Sequence, residues 1–194
     1  MSDFRKITPA RRESVPVYKT HNEYKPLLRE DFHQRCGYCG DHEFFRDTYY
    51  EVDHFVPQKC LVNISPTEYS NLVYSCRSCN NSKRAKWPTG NENVHNDGEQ
   101  GFIDPCDDAY AAQFERLADG SIHSITNLGD WMWSALNFGN SAHRVRWKLE
   151  EIKIMLKELD KVNIDSLEEL KAKEKLNRLY HNLEEQLRGE PNFA

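Results

Sequence analysis

Two cysteine pairs carry the most specific chemistry in the chain. Cys36-Gly37-Tyr38-Cys39 and Cys76-Arg77-Ser78-Cys79 each place two thiols across a two-residue spacer. Such a turn lets both sulfurs point at one ion, and two such turns complete a tetrahedral set with Zn–S near about 2.3 Å. The pairs are 36 residues apart, so an insertion must sit between the knuckles. The competing readings are a thioredoxin-like redox pair or buried free thiols. A closed four-cysteine site has no open position for substrate, so any reaction must belong to residues that the zinc holds in place. The insertion supplies candidates. Asp53 and His54 are adjacent, Asn71 and Leu72 run toward the second pair, and Asn80 follows Cys79 directly. Together they offer a carboxylate, an imidazole and two amides, close to the cations Arg77, Lys83, Arg84 and Lys86.

This arrangement resembles the HNH endonuclease family with its ββα-metal fold. The family pattern is a Cys pair, Asp-His-x-x-Pro, Asn-Leu, a second Cys pair, then His or Asn followed by x-x-Lys. It is met by Cys36, Cys39, Asp53, His54, Pro57, Asn71, Leu72, Cys76, Cys79, Asn80 and Lys83. Asn80 stands where the family's name has its second His, and His-Asn-Asn versions include the HNH domain of RNA-guided CRISPR effectors. The resemblance implies that Asp53 and Asn80 hold one catalytic divalent ion and that His54 is the general base. It further implies that Asn71 orients His54 through the other ring nitrogen, and that Lys83, Arg77 and Arg84 bind flanking phosphates. Oxygen donors from Asp and Asn suit Mg²⁺, with Mn²⁺ as substitute. The implied activity is hydrolysis of DNA phosphodiesters.

The elements that must position these residues are legible in outline. Thr48 to Val52 is β-branched and aromatic and predicts a strand, as does Leu72 to Ser75. A short helix is expected over Ser78–Lys86, ended by Trp87-Pro88. The polar, Pro-containing residues 1–30 suggest an extended arm, with a short helix over Leu27–Gln34. Thr89–Gly101, rich in Asn, Asp and Gly, is a loop and a module boundary, and Asp119-Gly120 marks a turn. Val145, Leu149, Ile152, Met155, Leu156 and Leu159 recur at helical spacing, as do Leu167, Leu170, Leu176, Leu179, Leu183 and Leu187. Ser166 with Glu169 fits a capping box, so the tail reads as a helical hairpin. The expectation is therefore an α+β chain. It has an arm at 1–35, a nuclease core with a Cys₄ zinc site at 36–90, and a mainly helical region at 91–194. Cys60 and Cys106 read as small buried hydrophobes and Trp87 as a packing residue.

Composition sets the limits. Of 194 residues, 38% are hydrophobic and 29% charged, which supports a folded core and excludes collagen-like or disordered classes. No apolar run approaches a membrane span, and Met1–Lys6 lacks a secretion signal's apolar core, so a cytoplasmic, reducing location and no membrane partner are expected. The net charge of −5 hides asymmetry: residues 91–143 hold nine acids and one arginine, whereas residues 70–90 hold four bases and no acid. Phosphate binding responds to the local patch, because salt screens charges beyond about 10 Å.

Residues 102–150 carry a second, loose resemblance. Asp104-Pro105, Phe114, Asp119-Gly120-Ser121-Ile122, Leu136-Asn137 and Arg144 are similar to the segment following the HNH motif in a bacterial group. That group includes the nuclease component of the Septu anti-phage system, which pairs with an ATPase. It implies a defence role, an ATPase partner, and the acidic middle and hairpin as the partner's surface. The alternative to catalysis is a zinc-organised nucleic-acid-binding module, which would have no need of an Asp-His pair facing a helix amide.

Overall fold

The computed structural model describes residues 3–45, 49–161 and 166–189. Strands β1 (Tyr50–His54) and β2 (Leu72–Cys76) pair antiparallel, with Tyr50 opposite Cys76 and His54 opposite Leu72. Helix α2 (Arg77–Lys83) follows β2 without a break. The β1–β2–α2 unit thus sets the second cysteine pair at one end of the ladder and Asp53-His54 at the other. The strand lies two residues later than its propensity suggests. Pairing with the wholly buried β2 carries polar Asp53 and His54 into the ladder despite their weak strand preference. Thr48 lies outside the described residues. The helix ends three residues early: Arg84 leaves it at φ 47° and ψ −128°.

The N-terminal residues do more than extend. A 3-10 turn, His21–Tyr24, leads into α1 (Lys25–Asp31), which starts earlier than expected because Pro26 fits a helix's first turn. Phe4, Leu28 and Phe32 join one hydrophobic cluster that continues through Tyr38, Val73, Trp87 and Phe102 to Phe138. Gly37 is where the first knuckle meets it, since a Cβ there would lie 2.6 Å from the Phe32 ring and 2.8 Å from Val73. Trp87 is buried, edge-on to Phe55 and stacked on Phe102, as a packing residue should be.

After the 89–101 loop come α3 (Asp108–Ala111) and a hairpin of β3 (Phe114–Arg116) and β4 (Ile122–Ser124), turning at Asp119-Gly120. Then follow α4 (Asn127–Ala135), α5 (Ser141–Leu159) and α6 (Leu167–Gly189). Arg116, fully buried, donates to the carbonyls of Phe4, Gly120 and Cys39 and so ties the hairpin to the first knuckle. Thr126 caps α4 and Asn140 caps α5 through their side-chain oxygens. Ser166 and Glu169 form the expected capping box at α6, which packs on α5 and buries none of its own residues. The chain is α+β, a small two-stranded core followed by helices that end in a hairpin. No helix among the described residues is long and apolar enough to cross a membrane.

Candidate functional site

The sulfurs of Cys36, Cys39, Cys76 and Cys79 lie within 4.8 Å of one another, and none is in a disulfide. All four are buried. Burial and the neighbouring sulfurs push the Cys39 and Cys79 thiols well above their ordinary range. Four thiolates converge stably only around a cation, and the soft donor set fits zinc. Cys76 Sγ also accepts from the Cys79 amide at 3.4 Å, placing the thiolate at the positive end of α2. A second buried group adjoins it: Asp41 pairs with His143 of α5 at 2.8 Å and with Arg146 at 3.6 Å. Burial opposes charge on His143, but the Asp41 carboxylate overrides it and lifts the imidazole to about 9. This pair docks α5 on the zinc knuckle. Cys60 and Cys106 stay apart from both groups and are only partly buried, with burial raising Cys106 to about 11.

At the other end of the ladder, Asp53 and His54 line a cleft of about 260 Å³ with Pro57, Gln58, Lys59, Arg84 and Ala85. Asp53 is nearly buried. Its Oδ2 accepts from the Tyr38 hydroxyl at 2.6 Å and from Lys83 Nζ at 3.0 Å. Burial and the Asp53 charge hold the Tyr38 hydroxyl well above its ordinary range, so it stays a donor. Oδ1 of Asp53 has no hydrogen-bond partner among the described residues.

The His54 ring is half-exposed. Its Nε2 lies 2.8 Å from the Pro66 carbonyl and 3.3 Å from the Gln58 amide nitrogen. The two contacts make opposite demands: the carbonyl needs a proton on Nε2, the amide needs a lone pair. The shorter one assigns Nε2–H and leaves Nδ1 with the lone pair. Asn71 therefore has a different task from the one its motif position implies. Its amide bonds both ways to the Val56 backbone, accepting at 2.8 Å and donating at 3.1 Å, and makes no bond to the His54 ring. It clamps the chain just after His54, where the backbone would otherwise be unpaired.

Lys83 also turns inward. Its side chain is 0% exposed, donating to Asp53 and to the His54 carbonyl at 2.8 Å, over the rings of Tyr38 and Phe102. Helical geometry turns it inward against β1, so it holds Asp53 rather than a flanking phosphate. Arg84 and Arg77 remain exposed, and Arg84 reaches the cleft. Asn80 does not line that cleft. It sits on α2 and donates from Nδ2 to Glu51 of β1 at 2.7 Å, which leaves its Oδ1 oxygen without a hydrogen bond among the described residues. Glu51 precedes Asp53 by two residues and shares its face of the strand.

Several supporting groups gave no motif signal. Pro66 acts through a backbone carbonyl, Tyr38 lies between the first two cysteines, and Lys59 lines the cleft from the 3-10 turn after Pro57. Glu51 was within reach of strand alternation. The insertion's far side is held by Glu92, whose carboxylate accepts from the amides of Val62, Asn63 and Ile64. Those amides, Val62 foremost, pull it down to about 2. Its folded-state value is depressed, so its contribution is present above about pH 4.5 and is lost as pH falls toward 2. Glu92→Gln is expected to remove that acid dependence and to speed hydrogen exchange at Val62 and Asn63.

Among comparisons with known proteins, the family model HNH endonuclease matches residues 36–86. Searches of the curated proteins and of the solved structures gave no match. The matched span runs from the first cysteine pair through Asp53-His54 to the end of α2, and such a domain implies a nucleic acid as ligand. Residues 36–86 thus match the HNH endonuclease model over the span that holds the buried four-cysteine cluster.

Proposed function

We propose that the chain is a metal-dependent endonuclease that hydrolyses DNA phosphodiester bonds, with His54 as general base. The observation that carries this reading is the His54 geometry: its ring lines one cleft with Asp53, Lys59 and Arg84, and its Nε2 is tied to the Pro66 carbonyl at 2.8 Å. Nδ1 takes the proton of the attacking water, and the Pro66 carbonyl holds the resulting imidazolium in place. Lys59 and Arg84 receive the phosphates on either side, with Arg77 further out.

The residues that would hold one divalent ion are Asp53 and Asn80, through the Oδ1 atoms that hydrogen bonding leaves unused. Two hard oxygens fit Mg²⁺, which completes its shell with water and phosphate, and Mn²⁺ would substitute. When bound, such an ion supplies polarisation of the scissile phosphate and stabilisation of the leaving oxygen. The division into an arm at 1–35, a core at 36–90 and an accessory region at 91–194 belongs to the same proposal, although the hydrophobic cluster crosses both boundaries. One observation favours the non-catalytic binding module: the Asp53 charge already has Lys83 as its partner. Cleavage of plasmid, single-stranded DNA or RNA that needs Mg²⁺ and stops with EDTA separates the two readings.

Arg84 gives a sharper check on phosphate binding. A side chain at φ 47° lies in a region that favours glycine and costs about 1–2 kcal/mol. Arg84→Gly is expected to raise the melting temperature by a few degrees. It should also weaken DNA binding and flatten its salt dependence. A melting temperature that rises with unchanged DNA affinity would remove Arg84 from the interface.

A role in anti-phage defence with an ATPase partner is the outermost part of the proposal. It is supported by the loose similarity over residues 102–150 and by α6, none of whose residues is fully buried. Protection of a bacterial host by the wild type, lost with His54→Ala, is the expected result.

A further inference from the structure

We propose that His21 is a positioning residue for His54, so that the segment before the HNH domain completes the catalytic site. The inference rests on the nuclease reading and extends it to a residue outside residues 36–86. The two imidazole rings lie 4.7 Å apart, centroid to centroid, at 62°. The His21 side chain makes no hydrogen bond among the described residues, so its ring serves as a packing surface.

The need for such a surface follows from how His54 is held. The firm hydrogen bond to the Pro66 carbonyl fixes one point of the ring. The bond from Cβ to the ring has a broad torsional well, so a ring fixed at one atom can still swing its far edge. The far edge carries Nδ1. A second ring packed against the His54 ring limits that swing. Preorganisation of this kind acts on the chemical step, since small errors in aim cost rate more than binding.

His21 can do this because its own placement is overdetermined. Thr20 and Glu23 close the turn that carries it, with the Thr20 amide donating to Glu23 at 2.8 Å. Tyr24 at the end of the turn is buried against Tyr18 and Tyr69. Upstream, Arg11 donates to the carbonyl of Leu72 at 2.8 Å, and Leu72 is the strand partner of His54. The turn and the base are thus fastened to the same ladder. Burial, with His54 beside it, lowers the His21 imidazole from its ordinary value.

The test uses the full chain with zinc bound, Mg²⁺ and supercoiled plasmid, comparing His21→Ala, His21→Phe and His54→Ala with the wild type. His21→Ala should lower kcat at least tenfold while KM for DNA, zinc content and melting temperature hold. His21→Phe, which keeps a ring without nitrogens, should restore most of the loss. Wild-type turnover in His21→Ala overturns the proposal, as does equal loss in His21→Phe, or a fall in zinc content or melting temperature that accounts for the loss. Unchanged cleavage by His54→Ala would instead remove the nuclease reading itself. Independently of turnover, ¹⁵N and ¹³C relaxation should report a fixed His54 ring in the wild type and a more mobile one in His21→Ala. Identical His54 relaxation in both would also overturn it.

Discussion

His54→Ala is expected to lower single-turnover cleavage by roughly 10²–10⁴-fold, the range for loss of a positioned general base. That corresponds to about 3–5 kcal/mol of transition-state stabilisation. Zinc content and melting temperature should stay at wild-type values. The ring is half-exposed and its hydrogen bond to the Pro66 carbonyl lies at the surface, so truncation opens no core cavity. His54→Gln should not rescue, because an amide can fill the hydrogen bond to Pro66 but accepts no proton at neutral pH. DNA binding should persist, since Arg84 and Lys59 are untouched. A variant that binds and cleaves like the wild type would remove His54 from the mechanism.

Removing zinc should have the larger effect on the fold. The four cysteines are buried between α1, β2 and α2, and a structural zinc of this kind supplies about 10 kcal/mol or more of apparent folding free energy. That is comparable to the whole stability of a small domain. Chelation, or Cys76→Ser, is expected to abolish cooperative thermal unfolding and to expose Tyr38 and Trp87, read by near-ultraviolet circular dichroism and fluorescence. Cys36→Ser should be comparably severe, because each change removes one of the four clustered sulfurs. Cys60→Ser, outside the cluster, should leave both signals unchanged. Metal analysis should return close to one zinc per chain when Mg²⁺ is absent, and a cooperative fold after complete zinc loss would contradict the structural role.

The parts legible in the sequence were those encoded by contiguous spacing. Two Cys-x-x-Cys turns and an Asp-His dipeptide need no knowledge of distant contacts, and the structure converges the four sulfurs as the spacing requires. The hairpin tail was legible because leucines at helical spacing need only their own helix to make sense. What the sequence hid were choices made in three dimensions. Asn71 keeps its motif position but bonds Val56, since a buried backbone kink after His54 must be paired. Lys83 has the charge for phosphate, but α2 rotates it onto Asp53. The ring of His54 is held by a carbonyl, and any residue at position 66 would present one. His21 lies far upstream in sequence and meets His54 only because Arg11 and Tyr24 fold the arm back onto the ladder. The strand shift from 48–52 to 50–54 has the same origin, with pairing to β2 outweighing the polarity of Asp53-His54.

The most direct test of the account is a cleavage assay on supercoiled plasmid, single-stranded DNA and RNA with the zinc-loaded chain, with Mg²⁺ or with EDTA. The account predicts that DNA strands are cut with Mg²⁺, that EDTA stops the reaction before any zinc is lost, and that Mn²⁺ restores it. Cleavage that continues unchanged in EDTA, or binding of all three substrates with no strand scission under any metal, would contradict it.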